Sequence, residues 1–204
     1  MQPITSQTLE TERLILRAWR ADDLEDFYAY ASEPGGVGER AGWKHHESRE
    51  ESRRILESFI RAQEVFAVVL RSEQRAIGSL GVHPSWAAEL PAFAAPPGCP
   101  PRVKEIGYVL SSAYWGRGLM PEAVRAVIEY AFGTLGLEAL TVAHFPENVR
   151  SKRVIEKMRL YLLRYRRLSC RAAWPADSRA ALYTQTNGLP VKRQGRDETR
   201  PCLC

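Results

Sequence analysis

Residues 103–121 read VKEIGYVLSSAYWGRGLMP, and this stretch decides the fold. Its first eight residues alternate as a β-strand does, and Pro121 favours the first turn of a following helix. Between them, Gly116 and Gly118 let backbone N–H groups face one concavity at the helix N-terminus, where Arg117 can add positive charge. The arrangement is typical of an anion site. A tight strand-to-helix turn without a ligand would need the same glycines.

Patterns typical of strands and helices extend outward from this stretch in both directions. Period-two alternation indicates strands, and apolar residues at helical spacing indicate amphipathic helices. The expected strands are residues 13–19, 65–71, 76–83, 103–110 and 137–145, and the expected helices are 21–31, 48–63, 121–135 and 149–158. A Pro/Ala-rich stretch at 84–101 is expected to be a loop insertion. The order predicts an α+β fold, an α/β sandwich with helices packed on a mixed sheet.

The positive charge of the chain is concentrated at its C-terminal end. The 204 residues carry a formal net charge of +5. Residues 1–158 hold 19 Lys/Arg and 21 Asp/Glu, whereas residues 159–204 hold 10 Lys/Arg and three acidic residues. The part with regular patterns is therefore slightly acidic, which argues against nucleic acid as its partner. The ordinary composition excludes collagen, coiled-coil and wholly disordered proteins.

Membrane and metal-binding classes are also disfavoured. No stretch approaches the roughly 18 to 20 apolar residues of a membrane-spanning helix, so we expect a cytoplasmic protein without a membrane partner. The cysteines, at positions 99, 170, 202 and 204, are too irregularly spaced for a zinc ribbon. We therefore expect no structural metal.

Residues 105–158, from EIGYVL through YWGRGLMPEA to NVRSKRVIEKM, resemble the core of the GNAT superfamily of acyl-CoA N-acetyltransferases, in its Rim-type (ribosomal-protein-alanine acetyltransferase) branch. The upstream TERLILRAWRADDLEDFYAYAS is similar to the opening strand and helix of that branch, so the resemblance covers about residues 11–158. The family pattern [QR]xxGx[GA] falls on residues 115–120, where Gly118 matches it and YWGRG followed by EA resembles the branch's own variant. Met120 replaces a small residue, and we expect its side chain to point away from the ligand.

The resemblance implies a GNAT-like fold with a mostly antiparallel mixed sheet, one splayed parallel pair and helices on both faces. It also implies acetyl-CoA as cosubstrate, without a metal, and an amine that attacks the thioester directly. The pyrophosphate would bind the loop N–H groups, and the pantetheine arm would lie along the preceding strand. The residues implied to bind acetyl-CoA are Val109, Leu110, Trp115, Gly116, Arg117, Gly118, Leu119, Met120, Asn148 and Ser151. Helix capping is the alternative role for Asn148 and Ser151.

Glu105 is the candidate general base. Direct transfer requires a base for the substrate ammonium and an acid for the departing thiolate. Alternation places Glu105 on the strand face of Gly107 and Val109, and a solvated glutamate at a strand edge is the alternative. Many family members have a tyrosine acid seven residues after the asparagine, but Ile155 occupies that position here. Ser151 is therefore the candidate proton donor.

The acceptor site is expected near the first two helices and the loop at residues 34–48. Trp43, His45 and His46 lie in this loop, and an aromatic ring beside imidazoles suits a site that receives an amine. A surface position for the histidines is the alternative. We predict that Trp43 and His46 bind the acceptor, which is either a protein N-terminal amine or a small-molecule amine, in a monomer or homodimer.

The family pattern breaks after Met158. Family members continue EKxGF, whereas Arg159 and Leu160 replace the Gly-Phe pair here. The glycine would end the helix in a left-handed conformation, which an arginine adopts only at a cost of about 1 kcal/mol or more. We therefore predict a GNAT domain at residues 9–158 and an atypical basic tail at residues 159–204 that is poorly ordered or frame-altered. If this tail damages the acceptor half, the alternative function is an acyl-CoA-binding protein with weak or no transferase activity.

Overall fold

The structure, a computed structural model, describes residues 3–93, 95, 98–158, 165–167 and 179–184. Among these residues, five α-helices pack on a sheet of eight strands. The strands are β1 (Leu9–Glu10), β2 (Leu14–Ala18), β3 (Val65–Leu70), β4 (Arg75–Pro84), β5 (Val103–Leu110), β6 (Ala139–His144), β7 (Tyr165–Arg167) and β8 (Arg179–Thr184). The helices are α1 (Leu24–Ala31), α2 (Val37–Ala41), α3 (Arg49–Ala62), α4 (Leu119–Gly133) and α5 (Val149–Lys157).

The sheet is mixed and mostly antiparallel, as the sequence predicts. Its order is β1-β2-β3-β4-β5-β6-β8-β7, and the described neighbours are antiparallel except for β5 and β6, which are parallel. A parallel pair needs a long crossover connection, and α4 lies in the segment that joins β5 to β6.

The parallel pair is splayed at one end. Pairing between β5 and β6 runs from Val103 opposite Ala139 to Ile106 opposite Val142. β5 nevertheless continues to Leu110, and its last residues pair only with β4 among the described strands. The edge of residues 107–110 that faces β6 therefore lacks a strand partner, and the predicted splay is confirmed.

Helices cover both faces of the sheet, which explains why β3 is an uninterrupted apolar run. Alternate β3 residues enter opposite cores, with Phe66 on the face covered by α4 and α5 and Val65 on the face covered by α1, α2 and α3. All six β3 residues are buried. Strands buried on both faces lack the polar alternation of half-exposed strands. Each fully buried Phe or Leu side chain contributes about 1.5–3 kcal/mol.

Local sequence signals set the limits of two of the helices on the face covered by α1, α2 and α3. Ser48 Oγ accepts a hydrogen bond from the Glu51 N–H at 3.2 Å and begins α3 as the capping pattern predicts. The short helix α2 is not expected from the sequence, because its five residues lie in a stretch that was expected to be a loop. Gly42 ends α2 with φ +88, a value that favours glycine.

The tail adds two strands to the sheet. β8 pairs with β6 from Ala139 opposite Thr184 to His144 opposite Arg179, and β7 pairs with β8. Residues 165–167 and 179–184 of the tail join the sheet, because β6 offers an edge whose N–H and C=O groups take a further strand. The expectation of a poorly ordered tail stays a prediction. The other tail residues lie outside the described residues, and the altered reading frame stays a prediction.

Neither a membrane helix nor a metal-binding cluster is found in the described part of the chain. No helix there is both long and apolar enough to cross a bilayer. No group of three or more His, Cys, Asp or Glu residues there is arranged to hold a metal ion. The cytoplasmic location stays a prediction.

Candidate active site

The loop between β5 and α4 presents a row of backbone N–H groups without acceptors. Gly116 and Gly118 adopt φ values of +79 and +76, which L side chains rarely adopt. The N–H groups of residues 116–120 donate no hydrogen bond to any acceptor within the described chain. Because a helix N-terminus also carries partial positive charge, this loop is suited to bind an anion.

The negative charge of a carboxylate next to this loop is balanced by contacts with the N-terminal segment. Glu122, in the first turn of α4, accepts hydrogen bonds from Thr11 Oγ1 at 2.6 Å and from Arg13 Nε at 2.7 Å. Burial raises the pKa of Glu122, but the hydrogen bonds from Thr11 and Arg13 outweigh it, so the pKa lies below its ordinary value. Arg13 also donates to the Arg117 carbonyl at 2.9 Å and so fixes the loop.

A cavity of about 330 Å³, called here the loop cavity, opens in front of this loop. Nine of the ten residues predicted to bind acetyl-CoA line it, namely Val109, Leu110, Trp115, Gly116, Gly118, Leu119, Met120, Asn148 and Ser151. Met120 is only 4% exposed and packs in the core. Its side chain is therefore accommodated where the family has a smaller residue.

Arg117 is the predicted residue that does not line the loop cavity. Its guanidinium lies 5.1 Å from the centre of the Tyr114 ring and donates to the Ala113 carbonyl at 3.2 Å. The sequence correctly places Arg117 in the loop, but its side chain packs on its own loop and away from the cavity. Only its backbone N–H remains available to an anion.

A second cavity of about 510 Å³, called here the sheet cavity, adjoins the first. Aromatic residues form much of its wall, namely Phe27, Trp43, Phe59 and Phe145. Its titratable lining residues include Lys44, His46, Glu51, His83, Glu105 and His144. Six residues line both cavities, namely Arg40, Ala41, Tyr108, Val109, Asn148 and Ser151. The cavities therefore meet near the splayed end of β5.

Glu105 lines the sheet cavity, on the strand face that alternation predicts. Ile106 packs in the core beneath α4 and α5, and Val109 packs in the opposite core. Thr141 Oγ1, on the neighbouring strand β6, donates to Glu105 Oε2 at 3.1 Å. Burial raises the pKa of the Glu105 carboxyl, and the Thr141 bond offsets part of that rise. A raised pKa makes a carboxylate a stronger base near neutral pH.

Ser151 and Tyr108 form a hydroxyl pair at the boundary of the two cavities. Their oxygens lie 3.0 Å apart, and Tyr108 also donates to the Ser151 carbonyl at 3.3 Å. Burial raises the pKa of the Tyr108 phenol, so it stays protonated and can donate. Asn148 Oδ1 accepts from the Ser151 N–H at 3.0 Å, while Asn148 Nδ2 donates to the Arg40 carbonyl at 3.0 Å. Asn148 therefore caps α5 and also ties it to α2.

Residues 13–160 match the sequence model of the Acetyltransferase (GNAT) domain. This chain belongs to the GNAT acetyltransferase family. It is therefore an acyl-CoA-dependent N-acetyltransferase. It is 26% identical over 157 residues to the uncharacterized N-acetyltransferase YnaD of Bacillus subtilis, a match that covers 74% of this chain and 80% of YnaD. Over 52 residues it is 48% identical to the probable N-acetyltransferase YjcK of the same organism, a match that covers 26% of this chain and only 29% of YjcK.

Solved structures with the same fold include several acetyltransferases. A GNAT-family acetyltransferase from Bacillus anthracis superposes with a TM-score of 0.71 at 23% identity, covering 87% of this chain and 98% of that one. Ribosomal-protein-S5-alanine acetyltransferase from Vibrio fischeri gives 0.65 at 21% identity, with 91% and 100% covered. Mycobacterium smegmatis RimJ in complex with CoA-disulfide gives 0.65 at 19% identity, with 90% of each chain covered. The fold of this GNAT chain is thus shared with Rim-type enzymes.

Trp43 and His46 both line the sheet cavity of this GNAT chain, whereas His45 does not. The Trp43 and His46 rings lie 5.1 Å apart, and His46 Nδ1 lies 2.7 Å from Ser52 Oγ. Burial lowers the pKa of His46, so its imidazole favours the neutral form. His45 pairs instead with Glu39 at 2.8 Å on the surface. The structure therefore brings the two predicted acceptor residues together at one wall.

His83 is a titratable residue of this site that sequence reasoning missed. His83 on β4 is paired directly opposite Glu105 on β5. Its ring occupies the space that a side chain at Gly81 would need, since a Cβ there would lie 2.1 Å from His83 Nε2. Gly107 is paired opposite Gly81, so the imidazole lies over two residues without side chains. Burial lowers the pKa of His83, opposed by nearby Glu64. Only the strand register reveals this glycine pair, so no single sequence motif could have indicated His83.

Proposed function

We propose that this GNAT protein transfers an acetyl group from acetyl-CoA in the loop cavity to a primary amine in the sheet cavity. One observation carries the proposal. Two cavities, one facing unpaired N–H groups and the other containing buried titratable side chains, meet at the splay between β5 and β6. A thioester at that junction would be reachable by an amine from the other side.

The loop cavity suits the cosubstrate in two places. The N–H groups of residues 116–120 would hold the diphosphate, because they have no acceptor within the described chain. The pantetheine arm would lie along the unpartnered edge of β5, beside Val109 and Leu110. The Leu110 carbonyl itself accepts from Trp115 Nε1 at 2.7 Å, so the free edge is formed by the residues before it.

The transfer requires one C–N bond to form and one C–S bond to break. The amine nitrogen attacks the thioester carbonyl carbon, and the acetyl group leaves coenzyme A without passing through a covalent enzyme intermediate. Glu105, directly or through water, accepts the proton that the ammonium loses. The Ser151 hydroxyl, backed by Tyr108, donates a proton to the departing thiolate. The second proton, which the nitrogen loses as the amide forms, restores the Ser151 hydroxyl directly or through water. A backbone N–H at the splay would polarise the carbonyl during the attack.

The acceptor is a primary amine whose body packs against the aromatic wall of the sheet cavity. Trp43 and His46 contribute to that wall, and the cavity of about 510 Å³ has room for a small molecule or for the first residues of a peptide. Both a small-molecule amine and a protein N-terminal amine therefore belong in the assay.

Calorimetry with acetyl-CoA, followed by a thiol-release assay over small amines and N-terminal peptides, tests this function. We expect binding of acetyl-CoA and release of free thiol with at least one amine, accompanied by the acetylated product in a mass spectrum. Binding without turnover over the whole panel would support the alternative of an acyl-CoA-binding protein with weak or no transferase activity. Absence of acetyl-CoA binding would contradict both functions.

A further inference from the structure

Three cationic residues of α5 line the loop cavity. Arg150, Arg153 and Lys157 are spaced i, i+3 and i+7, which places them on one side of the helix. No acidic residue lines this cavity in the described part of the chain. The cavity therefore has positive charge on α5 in addition to the N–H groups of the loop.

These three cations have no carboxylate partner among the residues that the structure describes. Arg150 lies 4.4 Å from the centre of the Trp115 ring, and no ion pair involves Arg153 or Lys157 there. By contrast, Lys152 lies outside the cavity lining and pairs with Glu156 at 3.7 Å. α5 therefore pairs a lysine that lies outside the cavity and leaves the cavity-facing cations unpaired.

The position of these cations on α5 makes them available to bind an anion other than the diphosphate. Ser151, at the start of α5, lies at the junction of the cavities, and Lys157 follows six residues later, about 9 Å along the helix axis. With the thioester at the junction and the diphosphate on the loop, the remaining anionic group of coenzyme A is the phosphate on its ribose. A phosphate monoester carries a charge of about −1.5 to −2 at pH 7.

We propose that Arg153 and Lys157, assisted by Arg150, bind the 3′-phosphate of coenzyme A and so distinguish it from 3′-dephospho-CoA. The inference rests on the proposed function, since it needs the coenzyme in the loop cavity. Charge-assisted contacts from guanidinium and ammonium groups to phosphate are stronger than neutral hydrogen bonds. Because all three side chains are exposed, the discrimination weakens as salt concentration rises.

Calorimetry with CoA and with 3′-dephospho-CoA at low ionic strength tests this inference on the full chain. The wild type is expected to prefer CoA about tenfold or more. In an Arg153→Gln/Lys157→Gln variant this preference falls to about threefold or less, while affinity for dephospho-CoA changes by less than about threefold. Lys152→Gln and Lys157→Gln form the matched single pair, because each removes one lysine charge from α5. Lys152→Gln is expected to keep the wild-type preference, and Lys157→Gln to lose part of it.

The readout is the ratio of the affinities for CoA and 3′-dephospho-CoA. A general weakening of electrostatic attraction would lower both affinities and leave their ratio unchanged. Equal wild-type affinity for CoA and dephospho-CoA would overturn this inference alone. An equal loss for both ligands in the double variant would do the same. If neither ligand binds the wild type, the proposed function fails together with this inference.

Discussion

The loop cavity and the sheet cavity are built in different ways, although they share six residues. The loop cavity takes much of its lining from one continuous stretch, residues 108–121, in which the N–H groups of residues 116–120 have no acceptor within the described chain. The sheet cavity takes side chains from α1, α3, β4, β5, β6 and the loop around Trp43. A cosubstrate common to a family can be bound by main chain in one local motif. A particular acceptor must be recognised by side chains that only the whole fold brings together.

The largest expected effect comes from a substitution in the loop cavity. We expect Gly118→Trp to weaken acetyl-CoA binding about a hundredfold or more, because a side chain at this position of the cavity lining would strain its φ of +76 and crowd Arg13, whose Nη2 lies 3.7 Å from the position of a Cβ. Gly98→Trp is the matched control, since Gly98 has φ +82, open space around it and no place in either cavity lining. Unchanged affinity in a folded Gly118→Trp protein, measured by calorimetry, would refute the site.

The second prediction tests the chemistry at the edge of the sheet cavity. Glu105→Gln is expected to lower kcat about a hundredfold, since general-base catalysis contributes roughly that factor or more, without changing the Kd of acetyl-CoA. The loss is largest at pH values above the pKa of Glu105 and below the pKa of the amine, where the base is ionised and the amine still carries the proton it must lose. Burial raises the pKa of Glu105, so wild-type activity falls as pH drops through that raised value and the base becomes protonated.

Two measurements make this prediction specific to Glu105. Glu129→Gln, at an exposed carboxylate of α4, removes the same charge outside both cavity linings and should keep full activity. A Glu105→Gln protein with a wild-type rate from acid to alkaline pH would exclude Glu105 from the mechanism.

The smallest expected effect concerns recognition of the acceptor. Trp43→Leu removes an aromatic ring from the wall of the sheet cavity, and we expect the KM of the best amine to rise about tenfold while the Kd of acetyl-CoA stays constant. Trp86→Leu provides the control, because Trp86 lies in the insertion and lines neither cavity. Equal kinetics in the Trp43 and Trp86 variants would place acceptor binding elsewhere.

Sequence reasoning succeeded where local chemistry decides the structure. The glycines at 116 and 118 predicted a positive-φ loop before a helix, and Ser48 with Glu51 predicted the start of α3, because each signal lies within a few residues. The mixed, mostly antiparallel sheet and the splayed parallel pair followed from the family resemblance and are confirmed.

Two of the three failures occurred where partners come from distant parts of the chain, and Arg117 is the local exception. Arg117 was expected to face an anion, but its guanidinium packs on Tyr114 and bonds to Ala113 within the same loop. His83 was missed because its position depends on a glycine pair in register across β4 and β5. The strand β8 was missed because its partner β6 lies about 40 residues earlier, and the tail shows no local alternation to indicate it.

The order of strands in the sheet has a consequence for synthesis. From β1 to β6 the strands lie side by side in the order in which the chain encodes them, so each can pair with the strand made just before it. Such sequential pairing lowers contact order and favours rapid folding. The residues of α5 that line the loop cavity, by contrast, follow β6 in the chain. They therefore emerge from the ribosome only after strands β1 to β6 have been synthesised. Coenzyme A can therefore stabilise the finished domain by mass action, but it cannot guide the folding of the nascent N-terminal half.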